Sequence, residues 1–302
     1  MHHLTLGTRG SALALHQAEM TEAALAGHCQ LTREVILTTG DQRTDVPLAQ
    51  VAAAAGVVDK GVFIKELELA LLDQSIDFAV HSLKDVPTIL EPEFEVCAVL
   101  PRAATGDILI TNGPSLAELP EGAVIGTSSV RRKLQLLRLR PDLRVVDIRG
   151  NVPTRLKKVA EDGDLDGTIL AEAGLLRLGG GRVETLPEAA GLSAHLLDRK
   201  EFLPAAGQGA VALEILKANG QAREILTRIN DDETMARVTA ERHFLALLQA
   251  GCDTPVGVDS VRRDGELHLV ARVFEDNGEV KSAQASHEDP QEAARLLFEG
   301  LA

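Results

Sequence analysis

Two widely separated stretches of the chain repeat one local design, and that repetition limits the possible folds more than any other feature. Leu6-Gly7-Thr8-Arg9-Gly10-Ser11 and Ile125-Gly126-Thr127-Ser128-Ser129-Val130-Arg131 each read as a strand end, a Gly-Thr turn, a hydroxyl N-cap and a helix. Each places a cation in the turn or the first helical turn. The same strand-to-helix junction made twice predicts two similar α/β units. Backbone N–H groups at a helix start favour an anion, and an adjacent guanidinium holds a carboxylate or phosphate bidentately.

A third stretch carries the chemistry. Phe78-Ala79-Val80 reads as a buried strand that runs into His81-Ser82-Leu83-Lys84-Asp85, and Pro87 forces the chain out of the sheet close to Asp85. In an open α/β sheet the strand exit is where ligands bind.

With 302 residues there is room for two or three domains. In the first unit we expect strands at 4–6, 34–38, 78–80 and 94–100, with helices from Ser11 to about residue 25 and over 63–74. Residues 46–61, rich in Ala and Gly, read as a lid. The second unit has expected strands at 107–111, 123–126, 143–148 and 167–171. Helices follow Ser129, cover 152–161 with Pro153 in the first turn, and carry Arg177. Residues 179–202 read as irregular surface. Residues 203–213 return into a strand through Gly207-Gln208-Gly209, which no strand precedes and no helix follows, so it reads as a close-approach turn and not a dinucleotide loop. A helix over 233–248, strands at 256–258, 267–274 and 280–285, and a closing helix at 290–301 make a small α+β domain. The expected division is 1–101 with 205–228, then 102–204, then 229–302.

Composition narrows the partners. Aromatic residues are 2% of the chain with no Trp or Tyr, so a base-stacking surface is not expected. The net charge of -14 repels nucleic acid and anionic membranes at long range. A small anion held by local arginines remains compatible, because salt screens the distant charge. Cys29, Cys97 and Cys252 are too far apart for a disulfide framework or a metal knuckle, which fits a reducing cytoplasm and no metal. The start enters a strand at once without an export signal, and no apolar run is long enough to span a membrane. Cys252 lies on a Gly-flanked loop, Gly251-Cys252-Asp253-Thr254-Pro255, where a thiol can act as a nucleophile.

Together these segments resemble the porphobilinogen deaminase family over nearly the whole chain. The motifs are Thr8-Arg9-Gly10-Ser11, Asp59-Lys60-Gly61-Val62-Phe63, Ala79-Val80-His81-Ser82-Leu83-Lys84-Asp85-Val86-Pro87 and Gly126-Thr127-Ser128-Ser129-Val130-Arg131-Arg132. Arg149-Gly150-Asn151-Val152-Pro153-Thr154-Arg155, Ala206-Gly207-Gln208-Gly209-Ala210 and Gly251-Cys252-Asp253-Thr254-Pro255 complete the set. The resemblance implies two doubly wound α/β domains of the type II periplasmic-binding-protein kind plus a small α+β C-terminal domain. It implies a cytoplasmic, monomeric transferase that links four porphobilinogen molecules head to tail, with release of ammonia, into a linear tetrapyrrole. A dipyrromethane cofactor would be joined by a thioether to Cys252, and Asp85 would be the catalytic carboxylate. Cofactor contacts would come from Ser82, Lys84, Thr127, Ser129, Arg131, Arg132, Arg149, Gly150, Asn151 and Arg155. Substrate contacts would come from Arg9, Ser11, Arg149, Arg155, Arg177 and Gln208, and lid contacts from Lys60 and Phe63. The competing reading is a non-catalytic, two-lobed anion-binding protein, which leaves Cys252 and the third domain idle and calls for an export signal.

Overall fold

The computed structural model describes residues 2–42, 63–161, 163–179, 186–249, 255–275 and 277–301. Strand β1 (His3–Arg9) buries Leu4 and Leu6, and helix α1 (Ala12–Leu25) follows after the Ser11 hydroxyl accepts the Ala14 N–H. Strand β2 (Gln30–Ile36), helix α2 (Lys65–Leu72), strand β3 (Phe78–Ser82) and strand β4 (Phe94–Val99) complete this part of the chain. β2 starts four residues before its expected position. It lies at the sheet edge in parallel register with β1 from His3 onward, so half of its residues are polar and give little apolar signal.

The chain then crosses into a second sheet through β5 (Asp107–Thr111), β6 (Val124–Gly126), α3 (Val130–Leu139), β7 (Arg144–Val146), α4 (Val152–Glu161), β8 (Gly167–Ala171) and α5 (Glu172–Leu178). Residues 179–202, expected to be irregular, contain a strand instead. β9 (Ser193–Leu196) pairs antiparallel with β5 at the sheet edge, where its exposed alternate residues hid it from an apolar-run search. β10 (Val211–Leu216) then returns to the first sheet between β3 and β4, and α6 (Gly220–Leu226) follows it.

The two five-stranded sheets share a pattern. Their orders are β2-β1-β3-β10-β4 and β7-β6-β8-β5-β9, with the first three strands of each parallel and the fourth antiparallel. The fourth strand is in each case contributed from across the crossover, so residues near 101–106 and 203–210 tie the lobes together. The repeated junction in the sequence is thus a repeated topology, and both parallel sets point their C-terminal ends at their helix N-caps.

The last part of the chain forms α7 (Asp232–Leu247), the antiparallel sheet β11 (Val256–Arg263), β12 (Glu266–Phe274) and β13 (Val280–His287), and α8 (Pro290–Glu299). Its core joins Phe244 to Leu267, Leu269 and Leu297. Arg102 from the crossover forks onto Glu241 of α7 at 2.6 and 2.9 Å, and Glu241 also accepts the Gly207 N–H at 2.8 Å. A buried, bidentate pair of this kind fixes orientation between parts as much as it adds stability. Among the described residues no helix is long and apolar enough to cross a membrane.

Candidate active site

The ladder between β3 and β10 ends at the Leu83 N–H bonded to the Ala210 carbonyl, and a single 3-10 turn, Leu83–Asp85, follows at once. Lys84 and Asp85 therefore stand at the C-terminal edge of the first sheet, half-buried, beside the end of β1 that carries Arg9. Ser82 exchanges hydrogen bonds with Gln17 of α1 at 2.8 and 3.2 Å. Arg242 of α7 grips the far side of the turn by donating to the carbonyls of Val86, Pro87 and Thr88. Sequence reasoning found neither Gln17 nor Arg242, because both act through distant backbone or side-chain partners. The Arg9 guanidinium lies 4.2 Å from the Phe63 ring centre, a cation–π contact that places Phe63 beside the first anion site.

The second sheet supplies guanidinium groups. Ser129 caps α3 by accepting the Arg132 N–H, and the buried Thr127 hydroxyl accepts the Ser129 N–H. Asn151 caps α4 through the Thr154 N–H, while Arg155 reaches back to the Gly150 carbonyl at 2.8 Å. Burial pulls the Arg155 pKa down to about 10, helped by repulsion from Arg132 and Arg149 and opposed by Asp85. That balance places the first lobe's carboxylate and the second lobe's cations in one electrostatic neighbourhood. Arg177 donates to the Gly209 carbonyl at 2.7 Å; its Nε is buried with no partner among the described residues, and burial lowers its pKa to about 10.

Four expected contact residues sit deeper than the sequence suggested. Arg131 and Arg132 are 6% exposed and converge on Asp107, Arg131 at 2.8 Å and Arg132 at 2.7 and 3.1 Å. Burial by itself would raise the Asp107 pKa, but the two guanidiniums hold it well below the usual carboxylate range. Gln208 is fully buried and donates to the Thr105 and Gly106 carbonyls and to Asp107, while its oxygen receives the Lys84 ammonium at 3.4 Å. Thr127 is spent on its own turn. Gln208 thus links the crossover carbonyls to Asp107 and Lys84, and the Thr127 oxygen accepts a hydrogen bond within its own turn. Arg131 and Arg132 are each hydrogen-bonded to Asp107.

The glycines around Gln208 explain its depth. Gly209 has φ +85 and a Cβ there would stand 2.6 Å from the Ala103 carbonyl oxygen, so only glycine lets the two crossovers touch. This is the close-approach turn expected from the sequence. Lys60 and Cys252 lie outside the described residues.

The assembled donor set fits a polycarboxylate ligand. Lys84, Arg9, Arg149, Arg155 and Arg177 join the Asp107-bound pair at facing sheet edges, and Arg177 keeps a buried N–H without a partner among the described residues.

Comparison with known proteins gives a family. The model of the porphobilinogen deaminase dipyromethane cofactor binding domain matches residues 4–224, and that of the porphobilinogen deaminase C-terminal domain matches residues 235–299. The porphobilinogen deaminase of Syntrophobacter fumaroxidans is 40% identical, covering 97% of this chain and 91% of that protein. That of Syntrophotalea carbinolica is 44% identical, covering 91% and 84%. Among solved structures, the VFT2 domain of Bordetella pertussis BvgS aligns over 79% of this chain and 93% of its own at 15% identity and a TM-score of 0.44.

Proposed function

The chain belongs to the porphobilinogen deaminase family, and from that premise we propose how its residues carry the reaction. It is a transferase of tetrapyrrole biosynthesis that condenses porphobilinogen. Four units are joined head to tail. Each condensation forms a bond between the aminomethyl carbon of one unit and the unsubstituted α carbon of the pyrrole at the end of the chain. The C–N bond breaks, and the amine departs as ammonia with the equivalent of the proton lost from that α carbon. The bound dipyrromethane supplies the pyrrole terminus on which the chain grows.

Asp85 is the carboxylate that serves both halves of the step. It accepts hydrogen bonds from pyrrole N–H groups, offsets the positive charge that develops when ammonia leaves, and takes the α-carbon proton. Lys84, Arg149 and Arg155 hold acetate and propionate arms, with Arg9, Ser11 and Arg177 on the incoming substrate. Ser82, Ser129, Gly150 and Asn151 shape the backbone that presents these groups. Cys252 is the attachment point, chosen because a thiol is the strongest nucleophile among side chains at neutral pH and the sequence sets it next to Gly251. The observation that carries the reading is the Leu83–Asp85 turn, which sets Lys84 and Asp85, half-buried, at the C-terminal end of β3. The domains are read as 1–101 with 205–228, 102–204 and 229–302, which the return of β10 to the first sheet supports. We take the enzyme to act as a cytoplasmic monomer.

Asp85→Asn and Cys252→Ala test this together. Asp85→Asn keeps the shape but removes the proton acceptor, so tetrapyrrole formation should fall by about 10²- to 10⁴-fold. Intact mass spectrometry should show a two-pyrrole adduct on the peptide containing Cys252, absent from Cys252→Ala. Normal turnover by Asp85→Asn, or an adduct on Cys29 or Cys97, would overturn the assignments.

A further inference from the structure

On β3 the side chains alternate, and the face away from α1 carries a polar pair that the reaction does not use. Phe78, Val80 and Ser82 look toward α1, whereas Ala79, packed with Leu67, Leu71 and Ile76, and His81 share the opposite face. Glu214 of β10 is opposite Ala79, so its carboxylate enters the same apolar layer one diagonal step from His81. The His81 Nε2 meets Glu214 Oε2 at 2.8 Å, with side-chain exposures of 3% and 0%. The other oxygen, Oε1, is buried with no partner among the described residues. At Glu214 the register of β10 against β4 shifts by one residue, skipping Cys97, which marks a β-bulge. Bulges re-aim side chains next to functional sites.

The third member comes from the helix. Glu68 on α2 is half-buried, and burial followed by the nearness of Glu214 pushes its pKa up to about 7, with Glu91 adding to this and His81 opposing it. Glu66, its neighbour on α2, is committed to the Thr39 N–H and hydroxyl.

We propose that the buried His81–Glu214 pair, with Glu68 near it, positions the Lys84–Asp85 turn. A lone buried carboxylate in this layer is costly, so the His81 ring at 2.8 Å is the contact that holds Glu214 in place. Ala212 pairs with His81 and Val211 with Ser82, and the next bond, Leu83 N–H to Ala210, starts the 3-10 turn. The pair therefore pins the last rungs before Asp85 from the side opposite to Gln17. The claim rests on the assignment of Asp85 as the reacting carboxylate. His81 and Glu214 act through the turn and are positioning residues.

The test uses the cofactor-loaded enzyme. Glu214→Gln should lower kcat on the order of tenfold while leaving KM unchanged, since misplacing a reacting group costs rate more than binding. Glu214→Asp should recover part of that loss. Nitrogen-edited NMR of the histidine rings, with His81 assigned by its loss in His81→Asn, should show the His81 signal sensing the ionisation of Glu68 near pH 7, an inflection absent from Glu68→Gln. Glu68 is half-buried, so this variant folds even if Glu214→Gln does not, and the titration stands independent of activity. Wild-type kcat in Glu214→Gln, a raised KM with kcat unchanged, or an identical His81 curve in Glu68→Gln would overturn the proposal. Asp85→Asn measured in parallel separates the two claims. An inactive Asp85→Asn beside a fully active Glu214→Gln defeats the positioning role alone, whereas an active Asp85→Asn defeats the reading beneath it.

Discussion

Each large sheet buries one carboxylate completely, and the two are treated in opposite ways. Asp107, at the head of β5, receives Arg131, Arg132 and Gln208, so positive charge exceeds negative around it. Glu214, in the middle of β10, receives His81 on one oxygen and has no partner for the other among the described residues. An over-paired carboxylate stays ionised across the working pH range. An under-paired one leaves an oxygen uncompensated in an apolar layer. The second lobe thus holds a charge cluster fixed around Asp107, whereas the first lobe, which carries Asp85, has near its buried pair an acid, Glu68, whose pKa is raised to about 7.

The severest way to break this contrast is Asp107→Asn. The amide keeps the shape but leaves two guanidiniums buried without their anion, and removing one partner of such a pair costs about 3–5 kcal/mol. Denaturant unfolding at neutral pH measures the loss. The Asp107 pKa is depressed, so its contribution is present above the unfolded value of about 3.9 and vanishes only as pH falls through the lower folded value. Wild type and variant should therefore differ by the same amount at every pH from 5 to 8. A difference that shrinks within that window would mean Asp107 is not locked in its charged form.

Gln208→Leu sharpens the same point with a smaller change. It strips one donor from Asp107 and leaves the Thr105 and Gly106 carbonyls without their side-chain partner, a cost of about 1–3 kcal/mol by denaturant unfolding. Two guanidiniums remain on Asp107, so the pH independence should survive. Lys84 loses its contact with the Gln208 oxygen, so KM for porphobilinogen should rise more than kcat falls. An unchanged KM would detach Lys84 from ligand binding.

How far the sequence exposes these features follows from how local they are. The two strand-to-helix junctions were legible because a cap, a glycine and the first helical turn lie within six residues, and the structure places Ser11 and Ser129 at both caps. The Leu83–Asp85 turn was legible for the same reason, with Pro87 fixing where the strand must stop. Asp107 was missed because its partners are more than twenty residues away, yet a lone acid heading Asp107-Ile108-Leu109-Ile110-Thr111 was a usable signal. Glu214 gave the same signal inside Val211–Leu216. Strands β2 and β9 were misjudged or missed because edge strands need only one apolar face. The partners of Arg102, Arg242 and Gln208 are mostly carbonyls or acids set by tertiary folding, which no spacing in the chain encodes.

The smallest expected effect tests the adjustable side of the comparison. Glu68 is an acid whose folded pKa, about 7, lies above its unfolded value. Between the two values the folded state holds a proton that the unfolded state has released. Its stabilising contribution is therefore complete below the unfolded pKa, near 4.3, and declines as pH rises to about 7. Glu68→Gln is neutral at every pH and lacks this slope. Thermal melts of both proteins at pH 5.5 and pH 8 should show wild type losing more Tm than the variant, by a few degrees at most because Glu68 is half-exposed and screened by solvent. Equal losses would mean that the acid next to His81 and Glu214 is an ordinary surface carboxylate, and the first lobe's buried charge would then be as fixed as that of the second.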